Sequence, residues 1–495
     1  MVSAPDPGRM RLRSATRAVA GISLAVLLAG GVTSSLTAAV TAGLAALLAL
    51  FTVADATVRA QALTTALLPL AGFPVLAVAA LLHDHPLARD GVFLLVVLAG
   101  AYARRWGPRG HALGIFGFMM FFVTQFLHTA PAQLPQLYGA VALALAASSA
   151  VRFGAWCYER RAALPAVIAP PAGRGLARAT TRQALQVTAA CAVALALGQV
   201  LSVDRWYWAV GTAWWIFVNT ASRGETLVRG FRRVLGTVAG IAAGLLLALP
   251  LDGAPAPTAA LVAVCVFGIF YTAAVSYSWM MFFVTIMAGL LYGLLGVLDA
   301  TLLALRFAET AVGAAGAALA VAVVLPVTTH ATTHAWIERA LRCVHACTAE
   351  AARRLAGDGS ADPAPRVAEL EALLGRVRLS VAPLVHPLSP LRARKARARQ
   401  VLALLDDCAH ELRGLASVAA DPDASHDARL AAACWRVEAA VEALTPVGAS
   451  ERAEVVPAHH PGAEPALAHL DGLERALAQL AAPLKSPPRS PLAGV

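Results

Sequence analysis

The chain has 495 residues, of which 58% are hydrophobic and 14% are charged, whereas soluble globular proteins are about one quarter charged. This composition excludes an ordinary soluble domain as a description of the whole chain. The net charge of +11 arises entirely before Pro326. Because basic loops beside apolar spans are what membrane insertion requires, this charge predicts membrane topology rather than nucleic-acid binding.

Twelve apolar segments of the first two thirds are predicted to cross a membrane as α-helices, and the predicted fold class is all-α. They lie at residues 17–32, 36–54, 62–82, 91–103, 111–127, 136–152, 184–200, 206–221, 234–251, 258–276, 279–298 and 302–325. A membrane-spanning helix needs about 20 residues. The segments at 91–103, 136–152 and 206–221 are short, so ten or eleven spans remain as alternatives.

The arginines predict the orientation of these spans. If the N-terminus lies inside and the spans alternate, eighteen arginines fall on the inner side and only Arg89, Arg205 and Arg306 on the outer side. Since inner loops are enriched in arginine and lysine, we expect both termini in the cytoplasm and the protein in the plasma (inner) membrane.

An internal repeat divides the membrane part. The sequence MMFFVT occurs at Met119–Thr124 and again at Met280–Thr285, and Thr16-Arg17 recurs as Thr181-Arg182. These matches predict two six-span repeats that share one orientation. The predicted organisation is a degenerate first repeat at 1–153, a cytoplasmic linker at 154–182, a second repeat at 183–326, a cytoplasmic helical domain at 327–485 and a disordered tail at 486–495.

Aromatic residues and a basic loop surround the span at 206–221. Trp206, Tyr207 and Trp208 open this span and are predicted to lie at the membrane–water interface. The basic loop that follows contains Arg223, Glu225, Arg229 and Arg233, and its arginines are predicted to act as topology anchors. Next come Gly236, Thr237, Gly240 and Gly244, and the glycines at four-residue spacing predict a flat helix face against which another helix packs closely.

The last predicted span carries charged side chains. Arg306 and Glu309 are three residues apart and therefore share one helix face with Thr310 close by. One interpretation is a structural ion pair in which Arg306 reaches the outer surface. The other is a site for an anion and a proton, because charged groups inside a span usually face a cavity or a partner. Asn219 is included in this candidate substrate and proton pathway.

These two stretches resemble the fusaric acid resistance protein-like (FUSC) family, which includes aromatic acid exporters. The resemblance rests on Arg233-x-x-Gly236-Thr237-x-x-Gly240 and on Arg306-x-x-Glu309-Thr310-x-x-Gly313, followed by Pro326. It covers residues 180–326, whereas the first half has no arginines at the equivalent of the Gly-Thr segment. The resemblance implies a transporter that exports weak aromatic or related carboxylic acids.

Two functions from different classes follow. The first is efflux of small organic acids driven by a proton gradient, because the chain has no phosphate-binding loop for ATP. The alternative is a non-transporting membrane scaffold or regulator whose cytoplasmic helices dock a partner. The expected partners are a small organic anion and the lipid bilayer, and a homo-oligomer is left open. No enzymatic activity, metal, cofactor or nucleic acid is predicted.

Overall fold

A computed structural model describes residues 9–159, 175–251, 254–355, 358–385, 392–419, 428–444 and 464–485. The described residues are 88% helical and contain no strand, which confirms the all-α prediction. Two compact units meet in the sequence between Val327 and Thr328. The predicted disordered tail at 486–495, and residues 160–174 of the predicted linker, lie outside the described residues.

The first unit contains α-helices at each of the twelve segments predicted from hydropathy. They are α1 Met10–Thr33, α2 Leu36–Thr52, α3 Val58–Leu81, α4 Pro86–Ala103, α5 Gly107–Phe126, α6 Leu134–Glu159, α7 Ala179–Leu201, α8 Tyr207–Phe217, α9 Arg223–Ala248, α10 Pro255–Thr272, α11 Tyr277–Leu294 and α12 Ala300–Val323.

Nine segments in the described part of the chain are long and apolar enough to cross a membrane, and α4 and α5 count among them as one stretch, Pro86–Phe126. Helix α2 is a shorter apolar helix, and α8 has only 11 residues. The protein is therefore a multi-pass membrane protein, whereas the number of twelve complete spans stays a prediction.

The contacts among the first six helices recur among the second six. Helix α1 packs against α2 and α6, α3 against α5 and α6, and α4 against α5. Six helices later, α7 packs against α8 and α12, α9 against α11 and α12, and α10 against α11. The contacts between the two groups are also equivalent, since α4 packs against α7 and α10 packs against α1.

Helix α8 is shorter than the continuous span predicted at 206–221. It ends at Phe217, and Asn219 adopts a left-handed backbone conformation with φ 62°. Because unpaired carbonyls are costly inside a membrane protein, the end of the helix needs donors from elsewhere. Arg104 Nη1 donates to the Phe217 carbonyl, and the Gln183 amide donates to the Thr220 carbonyl. The predicted segment 206–221 therefore contains a helix of only 11 residues, and the donors that satisfy its end are distant in sequence.

The end of α2 is satisfied in a similar way. The buried Arg152 side chain, on α6, donates to the carbonyls of Ala49 and Val53 at 2.8 Å each. Both short helices, α2 and α8, thus end at carbonyls that accept from an arginine distant in sequence. Arg152 has a structural role in addition to any effect on topology.

Helix α9 begins at Arg223, eleven residues before the predicted span start. The residues predicted to form a basic loop, including Arg229 and Arg233, therefore lie on the first three turns of a helix. The helix begins with a cap that resembles a capping box: Ser222 Oγ accepts from the Glu225 amide at 3.4 Å, and the Glu225 carboxylate accepts from the amide of Ala221, one residue before Ser222, at 2.9 Å. The loop assignment was wrong because arginines lower the hydropathy of this helical stretch.

The glycine row of α9 packs against α11. A Cβ atom at Gly236 would lie 2.4 Å from the Ser278 carbonyl oxygen, and one at Gly240 would lie 2.7 Å from Thr285 Cβ. At Gly244 the nearest such contact is 3.6 Å. The close approach predicted for the glycine face is therefore present at its first two positions.

The second unit is a bundle of five helices with its own apolar core. The helices are α13 Thr329–Leu355, α14 Ala364–Val385, α15 Arg392–Ala419, α16 Ala428–Glu442 and α17 Glu464–Lys485. Successive helices α13, α14 and α15 pack against one another, and α17 packs against α15 and α16. The cytoplasmic location of this unit stays a prediction.

Candidate functional site: an apolar cavity with two arginines

A cavity of about 120 Å³ lies inside the first unit, well above the roughly 10–15 Å³ that one water molecule requires. Its described lining consists of two arginines together with apolar residues and one glycine. The lining residues are Leu44, Leu47, Leu48, Phe51, Met119, Phe122, Phe126, Trp208, Gly211, Trp215, Arg233, Ile269, Met280, Met281, Val284, Met287, Ala288, Leu291 and Arg306. Such a lining suits a ligand that is mainly apolar and carries a negative charge.

Both groups of six helices contribute to this cavity, at equivalent positions. Leu44, Leu47 and Phe51 of α2 have the same spacing as Trp208, Gly211 and Trp215 of α8. The two copies of MMFFVT also meet here, through Met119 and Phe122 of α5 and through Met280, Met281 and Val284 of α11. The charged lining comes only from the second group, so the cavity has an apolar side and a side with two arginines.

Arg306 of α12 lies at one end of the cavity, here called the Trp208 end. Its guanidinium carbon is 3.5 Å from the centre of the Trp208 ring, and the Trp208 indole N–H donates to the Tyr292 hydroxyl. Arg306 is 4% exposed, and its Nε and Nη1 have no hydrogen-bond partner among the described residues. A buried cation with unused donors is costly unless an anion binds to it.

Arg233 of α9 lies at the other end, here called the Met281 end. Its Nη1 donates to the Tyr277 hydroxyl at 3.2 Å and is 3.0 Å from Met281 Sδ. The Tyr277 hydroxyl in turn donates to the Trp215 carbonyl at 3.3 Å. Arg233 is also 4% exposed, and its Nε has no partner in the described part of the chain.

The two guanidiniums are separated along the cavity but sense each other's charge. Trp208 and Trp215, which mark the levels of Arg306 and Arg233, are seven residues apart on α8, or roughly 10 Å along the helix axis. The charges of Arg233 and Arg306 interact across this space. Because like charges in an apolar environment repel, an anion bound at either guanidinium relieves part of this repulsion.

Glu309 does not line the cavity, although it lies one turn after Arg306. It is 1% exposed, and its Oε1 has no hydrogen-bond partner among the described residues, so it does not form a two-pronged ion pair with Arg306. It is one turn before Gly313, where a Cβ would lie 2.4 Å from the Ala209 carbonyl oxygen of α8. Glu309 therefore faces α8, where the charges of Arg306 and Arg205 reach it.

The other candidate pathway residues have different positions. Thr310 is fully buried, and its hydroxyl donates to the Arg306 carbonyl within the same helix. Asn219 is exposed and lies beyond the end of α8, whereas Arg306 contacts Trp208 at the beginning of that helix. Asn219 is therefore remote from Arg306, and the structure does not place these residues in one group.

The first two aromatics at the start of α8 are buried among other helices. Trp206 and Tyr207 are each 2% exposed, so they pack within the protein, and their location at the depth of the membrane–water interface stays a prediction. The Trp206 ring lies 5.7 Å from that of Phe93, and the Tyr207 ring lies 5.2 Å from that of Phe122. They pack here because α8 is covered by other helices on these faces.

The predicted topology anchors divide into two kinds. Arg223 is exposed and lies at the first turn of α9. Arg229 stacks over the Tyr277 ring, with its guanidinium carbon 3.9 Å from the ring centre, and Arg233 reaches the hydroxyl of the same tyrosine. The role of Arg233 at the cavity was missed because a basic cluster beside a span resembles a topology signal.

No group of three histidine, cysteine, aspartate or glutamate side chains that could hold a metal ion occurs in the described ranges. The cavity arginines are ligands for anions rather than for cations, and no cofactor follows from their chemistry.

Comparisons with known proteins give a match for the part of the chain that carries Arg233 and Arg306. Searches of curated proteins and of solved structures found no match. One family model does match, and its family indicates a membrane transport protein. The match begins within α7 and ends within α12, and it confirms the resemblance that the sequence motifs indicate. Residues 189–320 match the model of the fusaric acid resistance protein-like family.

Proposed function

We propose that the protein is a secondary transporter that exports small aromatic or related carboxylic acids. The observation that carries this proposal is the apolar cavity with two buried arginines. Five of its lining residues, Phe51, Phe122, Phe126, Trp208 and Trp215, are aromatic and suit a ring. A guanidinium matches a carboxylate in shape and charge. The family match supports transport as the activity.

The proposed route passes between two parallel six-helix repeats. The recurrent helix contacts and the equivalent positions of α2 and α8 in the cavity wall support this arrangement. In transporters built from repeats, substrate sites lie between the repeats, and one repeat moves against the other to change the exposed side. With both termini in the cytoplasm, the Met281 end faces the cytoplasm and the Trp208 end faces outward.

Glu309 is proposed to exchange a proton during transport. An ionised carboxylate without partners is costly at a buried position, and the charge of Arg306 offsets part of this cost. When a substrate carboxylate binds Arg306, less of the arginine's charge remains available to Glu309. Substrate binding would then favour protonation of Glu309, so that an anion and a proton are coupled across one helical turn.

The alternative function is a scaffold or regulator that does not transport. Such a protein would dock a partner through the five-helix unit, and its cavity would be a packing defect that binds no substrate. Two buried guanidiniums at the cavity, each with at least one unpaired donor among the described residues, favour a transporter, because a packing defect gives no reason to retain such costly groups.

The proposal is tested by benzoate flux in proteoliposomes that carry a pH gradient. Benzoate flux is expected for the unmodified protein and is expected to fall to background in Arg306→Gln. Arg89→Gln is the matched control, because Arg89 also stacks on a tryptophan, Trp206, but does not line the cavity. Growth of a deletion strain across a panel of weak acids would identify the natural substrate. Absence of flux for every acid in the panel would favour the scaffold.

A further inference from the structure

We infer that the cavity holds its substrate at two successive positions, with Arg233 as a loading anchor at the Met281 end and Arg306 as a release anchor at the Trp208 end. This inference rests on the proposed function and deepens it. It assigns a direct substrate contact to Arg233, which the sequence alone indicates only as a topology anchor.

The two ends of the cavity have matching features. Each guanidinium lines the cavity, is 4% exposed and retains at least one donor without a partner in the described residues. Each also rests against an aromatic side chain, Trp208 for Arg306 and Tyr277 for Arg233. A buried arginine held by an aromatic group, with donors left over, is a preorganised carboxylate site.

The distance between the two ends favours separate positions for a small substrate. The two levels are roughly 10 Å apart along α8, and the wall between them is apolar, formed by residues such as Gly211, Val284 and Ala288. A single-ring carboxylate is shorter than this separation, so its charged group contacts one arginine at a time. Its ring then lies against the intervening apolar wall, and transfer between the anchors needs only a short displacement.

The charges of the two arginines favour transfer of an anion between them. Because the charges of Arg233 and Arg306 interact, an anion bound at one guanidinium remains attracted by the other. This attraction lowers the free energy that the anion needs to leave the first arginine. Each arginine can therefore bind the anion without holding it permanently. The charged lining belongs to the second repeat alone, which gives the substrate one polar side to follow.

The test measures half-saturating benzoate concentrations from each face in inside-out and right-side-out membrane vesicles. Arg233→Gln is expected to raise the value at the cytoplasmic face roughly tenfold or more, because a charge-assisted hydrogen bond is lost, and to leave the outer face near the unmodified value. Arg229→Gln is the matched control. Arg229 lies one turn before Arg233 on α9 and contacts the same tyrosine, Tyr277, but it does not line the cavity. Equal effects of the two substitutions, or no effect of Arg233→Gln, would overturn the inference.

A second measurement leaves Arg233 unchanged, so its result does not depend on whether Arg233→Gln folds. In a background in which the seven native cysteines are replaced, Met281→Cys and Leu291→Cys place single reporters at the Met281 end and the Trp208 end. Their reaction with N-ethylmaleimide is followed with benzoate or the neutral benzamide. Protection of both positions by benzoate, and much less by benzamide, is expected. Protection of Leu291→Cys alone would overturn the two-anchor inference and leave the transporter intact. Protection of neither, without benzoate flux, would contradict the proposed function itself.

Discussion

Replacing single glycines of α9 by alanine should separate steric contact from helix propensity. A Cβ at Gly236 would lie 2.4 Å from the Ser278 carbonyl oxygen and 2.8 Å from Met281 Cβ, whereas ordinary contacts begin at 3.4 Å. Helices α9 and α11 would have to separate locally by roughly 1 Å, and such overpacking costs about 1–3 kcal/mol. At Gly244 the nearest contact would be 3.6 Å from Ile286 Cα, so no steric cost is expected there.

Both substitutions gain helix propensity, about 1 kcal/mol for glycine to alanine in a helix interior. This gain cancels when the two variants are compared, so Gly236→Ala should be less stable than Gly244→Ala by about 1–3 kcal/mol. Gly244→Ala should be at least as stable as the unmodified protein. Gly240→Leu, with its Cβ 2.7 Å from Thr285 Cβ, should reduce the amount of folded protein.

The assay is thermal unfolding of the detergent-solubilised variants at one scan rate, since membrane proteins often unfold irreversibly. Gly236→Ala should melt several degrees below Gly244→Ala. If Gly236→Ala melted at or above Gly244→Ala, the close packing of α9 on α11 would be wrong.

Three further outcomes are expected. Glu309→Gln should stay folded and inserted but lose pH-dependent acid flux, and normal flux with the normal pH profile would make this carboxyl structural. A membrane-impermeant thiol reagent applied outside cells should label Asp84→Cys but not Ser360→Cys, and the reverse would contradict cytoplasmic termini. Met119→Cys combined with Met280→Cys should be joined by a short bismaleimide across the cavity, and failure to cross-link would contradict the equal depth of the two repeats.

Hydropathy was sufficient to locate the helices of the first unit but not their ends. Helix α8 stops at Phe217 because Arg104 and Gln183, both distant in sequence, satisfy the backbone beyond it. Helix α9 begins early, and in this case the sequence did contain a signal, since Ser222 and Glu225 have capping-box spacing. This capping signal was not recognised, because the arginines that follow Glu225 lower the hydropathy of the first turns of α9.

The candidate site was predicted only in part. Arg306 was found because a charged residue inside an apolar segment is a functional candidate. Sequence spacing could not show that Glu309, one turn later, faces α8 rather than the cavity. Arg233 was assigned to topology, because only the packing of α9 on α11 brings it to Tyr277 and the cavity wall.

The central claim is that the cavity binds organic carboxylates through its two arginines. The most direct test is the dissociation constants of benzoate and neutral benzamide, measured by calorimetry on the purified protein in nanodiscs. The account predicts that the unmodified protein binds benzoate at least about tenfold more tightly. A folded variant that combines Arg233→Gln with Arg306→Gln should lose this preference. Equal binding of the two compounds by the unmodified protein, or an unchanged preference in the double variant, would contradict the account.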